Sequence, residues 1–239
     1  MSDLLNEARN LEQAANGGDA QAAFKLAWFY YNTGKREIIK QDPDKAAFWL
    51  DRASDLGHTE APKQLLTLLS QDNYPNAGGD TFITWLVKLA NDKIPMYMVE
   101  LAAIRCAEPG NPFITKFRYD ECKGFINPSE GYQLFEEAIE LAEKSGDAML
   151  HSFYYRAYDA YRIAKKRLRE IAQSDDYKPD DEQMKNLKEN HIYLMKQGVR
   201  YAKKAAATAE GNGTQEYVDT CAKIADDAVK ELEAVMRLG

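Results

Sequence analysis

The chain has 239 residues, 45% hydrophobic and 29% charged, with a formal net charge of −7. This is enough apolar content for one large core or a row of stacked helical hairpins, and the acidic balance argues against nucleic acid as a partner. Cys106, Cys122 and Cys221 stand far apart with no Cys-x-x-Cys pair, which argues against a disulfide framework and points to a reducing cytoplasm.

The first predicted helix covers residues 4–16, where Leu4, Leu5, Ala8, Leu11 and Ala15 fall at helical spacing and Gly17-Gly18 ends the run. Charges interrupt this segment, so it does not read as a signal peptide, and no later stretch is apolar enough to span a membrane. A second helix is expected over 20–31, terminated by Asn32-Thr33-Gly34. Asp42 suits an N-cap and Pro43 the first turn of a helix running to about residue 56. Gly57 lets the chain turn, and 60–70 returns antiparallel before the polar, Gly-rich stretch 71–80.

Helices over 81–91 and 96–107 form the next expected pair, joined through Asp92-Lys93-Ile94-Pro95. Residues 108–129 hold Pro109, Pro112 and Pro128, so they read as a long irregular loop with one helical turn at 117–122. Segments 130–145 and 147–172 make a further pair, followed by an acidic connection at 173–181. A helix over 182–208 is broken by Gly211-Asn212-Gly213, and an Ala-rich amphipathic helix closes the chain over 214–238. Nowhere is there period-two alternation, so the fold class is all-α.

A spaced register links these elements. Leu11, Ala14, Gly18, Ala20, Ala22 and Leu26 have the same offsets as Leu50, Ala53, Gly57, Thr59, Ala61 and Leu65. Looser copies start at Leu86, with Leu89, Lys93, Pro95, Tyr97 and Leu101, and at Ile139, with Ala142, Gly146, Ala148, Leu150 and Tyr154. Repetition at this period predicts an α-α superhelix, a solenoid of antiparallel helix pairs, because each pair has an apolar face that only a neighbour can cover. Residues 1–172 form the expected repeat region, and 173–239 a C-terminal hairpin that caps or continues it.

Gly18-Asp19-Ala20, Ala22, Leu26, Tyr30 and Gly34, followed by Lys45-Ala46, Trp49, Ala53, Gly57-His58 and Ala61, resemble a SEL-one-like repeat, a relative of the tetratricopeptide repeat. The resemblance is strong over about 11–70, partial to about 165, and departs where Lys93-Ile94 replace the Gly-His pair and Tyr155 a small residue. It implies an adaptor that holds a protein or peptide on a concave face lined by the first helix of each pair. Carried over by position, that face presents Gln21, Phe24, Trp28 and Tyr31, then Glu60, Lys63, Thr67 and Ser70, then Met149, Ser152, Arg156 and Asp159. Trp28, Tyr31 and Arg156 are the expected anchors, since such side chains bury much area and keep a polar handle; the competing role for Trp28 and Tyr31 is cover by the next hairpin or the long loop.

No motif for catalysis or cofactor binding emerges. His58, His151 and His191 lack metal-ligand spacing, the cysteines have no nearby histidine partner, and Asn76-Ala77-Gly78-Gly79-Asp80 has no following Lys-Ser or Lys-Thr. Tyr158 and Arg162, four apart with Lys166, mix an aromatic face with positive charge and form a candidate anion site. The expected function is a non-catalytic adaptor without cofactor, nucleic acid or membrane. The alternatives are a regulatory or inhibitory subunit that binds one enzyme or toxin, using the loop at 108–129, and an all-α enzyme with a carboxylate and tyrosine pocket.

Overall fold

The computed structural model describes residues 2–31, 42–69, 79–106, 123–174, 180–211 and 213–237, and these hold α-helices, one 3-10 turn and no strand. They fall into two compact units, residues 1–89 and 90–239. The first contains α1 (Ser2–Asn16), α2 (Ala20–Tyr31), α3 (Pro43–Asp55), α4 (Ala61–Leu69) and most of α5 (Gly79–Asn91). The second contains α6 (Pro95–Arg105), the 3-10 turn Lys123–Phe125, α7 (Pro128–Ser145), α8 (Leu150–Ala172), α9 (Asp181–Ala207) and α10 (Gln215–Arg237). The fold is all-α, of the α-α solenoid class expected, built from antiparallel helix pairs.

The repeated register has a backbone cause. Its third position is occupied by Gly18, Gly57, Lys93 and Gly146, and all four have positive φ, at 98°, 89°, 60° and 66°. Each follows a helix and directs the chain into the next. Lys93 is the one non-glycine residue in this left-handed region among the described residues. The second register position supports the same turn: the carbonyls of Ala14, Ala53 and Ala142 accept bonds from the amides of Asp19, His58 and Asp147 at 3.1, 2.9 and 3.0 Å. These are six-to-one closures of a helix C-terminus, which satisfy a carbonyl that the helix itself leaves open.

Apolar register positions mostly enter the core. Leu50, Leu86 and Ile139 are buried, as are Ala53 and Ala142. The copy in α1 departs: Leu11 is half-buried and Ala14 exposed, with Ala15 buried next to it, because α1 packs chiefly against α2. In the first unit, Ala22, Ala46, Ala53 and Ala61 let helix backbones approach, and Leu26, Trp49 and Leu65 fill the space left. Trp85 is buried in this unit too, and its Nε1 donates to Asp51 Oδ1 at 2.5 Å.

The second unit corrects two expectations. α7 begins at Pro128, inside the segment expected to be loop, and the Asn127 side chain accepts from the Glu130 amide at 3.4 Å. Asp42 caps α3 in the same way, accepting from the Lys45 amide at 3.0 Å with Pro43 next. Proline at the first turn starts these helices, since its missing N–H has no helical partner to lose. The second correction concerns pairing. α7 packs more extensively on α6 than on α8, and α9 packs along α8, so the irregular segment lies within a pair and not between pairs. The close approach is made at Gly131: a Cβ there would meet Cys106 Sγ, with Ala102 O at 3.1 Å. The helical turn expected at 117–122 lies outside the described residues.

Candidate functional site

In the first unit, α2 and α4 flank a notch floored by α3. Its walls are Ala27, Trp28 and Tyr31 on one side and Gln64, Thr67 and Leu68 on the other, with Leu50 below, and the cavity measures about 100 Å³. α2 supplies Trp28 and Tyr31 from one face because they are three residues apart, and Gln64 and Thr67 are related likewise on α4. Trp28 meets Tyr31 edge-on, with ring centroids 5.5 Å apart at 81°. Both rings are half-buried, so each keeps surface toward the notch.

One turn earlier on α2, Phe24 stacks on His58, with centroids 4.0 Å apart at 15°, and touches Trp28 edge-on at 6.3 Å. His58 Nε2 lies 3.2 Å from Gln21 Oε1, which ties the turn after α3 to the start of α2. Lys63 is paired with Glu60 at 2.9 Å, an exposed contact worth little in stability. Thr67 donates to the Lys63 carbonyl at 2.9 Å, leaving its oxygen able to accept. The Gln64 carboxamide makes no hydrogen bond among the described residues, so a donor and an acceptor are open at the rim. Of the expected face, Ser70 lies outside the described residues. Spacing alone did not single out Gln64 or Leu68; their signal was position, each three residues after a buried register residue of α4, Ala61 and Leu65.

In the second unit the expected contacts are engaged differently. Arg156 on α8 forms an ion pair with Glu100 on α6. Asp159, expected to face a partner, is buried, and its Oδ1 accepts from Arg162 Nε and Nη2 at 2.8 and 2.5 Å. A helix as wrapped as α8, with α7, α9 and α6 against it, leaves few of its faces open. Tyr158 and Arg162 do line one cavity, as the candidate anion site required. Their cationic neighbour there is Lys165, and Lys166 points elsewhere, pairing with Glu170 at 3.6 Å. The reason is helical phase: seven residues from Tyr158 stays closer to the same face than eight.

Hydrogen bonding elsewhere in this unit fixes helices to one another. His151 Nδ1 is 3.1 Å from Thr208 Oγ1, and its Nε2 is 2.6 Å from Tyr217 Oη. Thr208 already donates to the Lys204 carbonyl at 2.8 Å, so the imidazole donates from Nδ1 and accepts the Tyr217 hydroxyl at Nε2. Tyr161 is stacked between Tyr132 and Tyr201, at 4.6 and 5.8 Å. Burial pushes the Tyr161 and Tyr201 hydroxyls up, Tyr201 to about 12. Groups so raised are neutral structural phenols and poor proton acceptors near neutrality. Among the described residues there is no cluster of three metal-ligating side chains and no helix long and apolar enough to cross a membrane.

The family model of the Sel1 repeat matches residues 20–58 and 123–143. The first match covers α2, α3 and the turn at Gly57-His58; the second covers the 3-10 turn and most of α7, the Asn127-Pro128 helix start included. No curated protein matches the sequence. Sel1 repeats are commonly protein-interaction modules. The two matched segments share the Asx-Pro helix start that their backbones show, and over them the chain carries Sel1-like repeats.

Proposed function

We propose that the protein is a non-catalytic cytoplasmic adaptor that holds a partner protein or peptide against the first helices of its repeats, with the notch between α2 and α4 as the principal contact. The observation that carries this reading is the conjunction of Trp28 and Tyr31 with the open Gln64 carboxamide around an apolar cavity of about 100 Å³. Aromatic walls bury an apolar side chain of the partner. A free carboxamide matches the donor and acceptor of a peptide group, which positions the partner's backbone across the rim. Phe24 contributes by fixing Trp28 from behind, and Lys63 stands at the edge as a point charge.

Nothing in this arrangement calls for a metal or cofactor, and the net charge of −7 supports a protein partner over a nucleic acid. Arg156 serves as a strut to Glu100 in this reading and Asp159 as the buried partner of Arg162. The test is a peptide-array screen with the full chain, repeated with Trp28→Ala and with Gln64→Ala. Wild-type binders are expected to weaken at least tenfold with either variant while the circular dichroism spectrum is unchanged. Equal capture by both folded variants would remove the notch from the binding surface.

A further inference from the structure

The cavity that Tyr158 and Arg162 line repeats the layout of the first notch: α8 and α10 are its walls and α9 its floor. It measures about 140 Å³, on the order of the space that admits one benzene-sized body. Its chemistry differs from that of the first notch. Leu194, Met195 and Val199 on α9 and Ala228 on α10 make an apolar bed, and polar groups from α8 rise at one side.

Those polar groups keep donors that the chain does not use, although Asp159 Oδ2 beside them is buried and likewise makes no hydrogen bond among the described residues. Arg162 directs Nε and Nη2 to the single oxygen Asp159 Oδ1, which leaves Nη1 open. Tyr158 Oη makes no hydrogen bond among the described residues. Lys165 bonds to Glu231 alone among the described residues, and Arg169 shares that carboxylate at 2.5 Å, so two cations are balanced by one anion. His191, one turn before Met195 on α9, registers the resulting field. Burial holds it below its ordinary value, followed by Arg169 and Lys165, each acting more strongly than the opposing Glu231. Asp227, on the α10 wall, is the exposed group of opposite sign.

We propose that this cavity binds a carboxylate carried on a short branched apolar body, the carboxylate meeting Tyr158, Arg162 and Lys165 and the body lying on Leu194, Val199 and Ala228. Such a group is the end of a small free acid or the C-terminus of a peptide ending in an aliphatic residue. The site is separate from the notch between α2 and α4, and neither proposal depends on the other.

The experiment is calorimetric titration of the full chain with isovalerate, with isovaleramide, and with an N-acetylated peptide ending in leucine. Isovalerate or the peptide is expected to bind saturably, and the amide at least tenfold more weakly, because a charge-assisted bond is lost. Binding by the free acid identifies a small molecule as the source, and binding by the peptide alone identifies a chain terminus; both uphold the site. Tyr158→Phe and Asp227→Asn disturb no hydrogen bond among the described residues, so they test the site with little risk to the fold. The first is expected to weaken the acid several-fold, and the second to tighten it about two- to fivefold by removing a repelling charge. Ala228→Leu fills the bed and is expected to abolish binding, with a thermal melt to confirm folding. The proposal is overturned if neither carboxylate binds, if acid and amide bind alike, or if the folded Ala228→Leu variant binds as the wild type does.

Discussion

Replacing Lys93 by glycine is expected to leave the protein as stable as before or more so, although the change removes a side chain and an ion pair. Lys93 has φ 60° at a position where three other copies of the register have glycine. A side chain in left-handed backbone costs roughly 1–2 kcal/mol. Glycine relieves that strain but adds roughly 0.5–1 kcal/mol of chain entropy lost on folding. The lysine also reaches Glu137 at 2.5 Å, with the two side chains 56% and 46% exposed, and an exposed pair contributes about 0.2–1 kcal/mol. Gain and loss nearly cancel in the wild-type background. They separate in a Glu137→Gln background, where the pair is already absent and Lys93→Gly is left with a gain of up to about 1.5 kcal/mol. Urea unfolding followed by circular dichroism measures all four variants of this cycle. The mirror experiment is Gly57→Ala: a Cβ there meets nothing within 4 Å, so its cost of about 1 kcal/mol comes from backbone conformation alone. If Lys93→Gly destabilised the Glu137→Gln protein, the turn would not be limited by left-handed strain and the register would have lost its physical basis.

Further outcomes are expected from the same structure. Gly131→Ala should lower stability by about 1–3 kcal/mol in the same urea assay, because the new Cβ collides with Cys106 Sγ and the Ala102 carbonyl of α6. Trp85→Phe should cost about 1.5–3 kcal/mol, since Asp51 then loses the buried indole donor that it accepts from at 2.5 Å. Glu143 is held below the ordinary 4.5 by hydrogen bonds from Lys204, then from Tyr154; its contribution is complete above that value and is lost as pH falls through the lower, folded value. Glu231 is also low, burial being outweighed by Lys165 and Arg169, so the melting temperature should drop on acidification below about 4.5, and Lys204→Met should lower the melting temperature above that pH while making the acid-induced drop smaller. Tyr201 is shifted the other way, from 10.0 to about 12 by burial and then Glu136, so its contribution holds below pH 10 and fades as the pH climbs toward 12, which phenolate absorbance would follow.

Local features were legible in the chain itself where a residue type has one physical use. Asp42-Pro43 announced a helix start, and Gly18, Gly57 and Gly146 announced left-handed turns, because few other residues satisfy those backbone demands. Asn127-Pro128 carries the same signal for the start of α7, but it stands at the end of a stretch with three prolines, a composition that equally suits a loop. Trp28 and Tyr31 could be placed on one face by spacing, and they do share a notch. What spacing could not supply was the opposite wall, where Gln64 lies unpaired, or the engagement of Arg156 by Glu100.

The sequence by itself determined that this protein is all-α, where most of its turns fall and which small residues enter the core, since backbone sterics and helical periodicity act over a few residues. Tertiary structure alone decided which helices pair, which cations are spent on internal carboxylates, and which phenols and amides are left facing a cavity. Those outcomes depend on side chains brought together from distant parts of the chain, so Asp159 became a buried partner of Arg162, and Lys165 in place of Lys166 became the cation beside Tyr158.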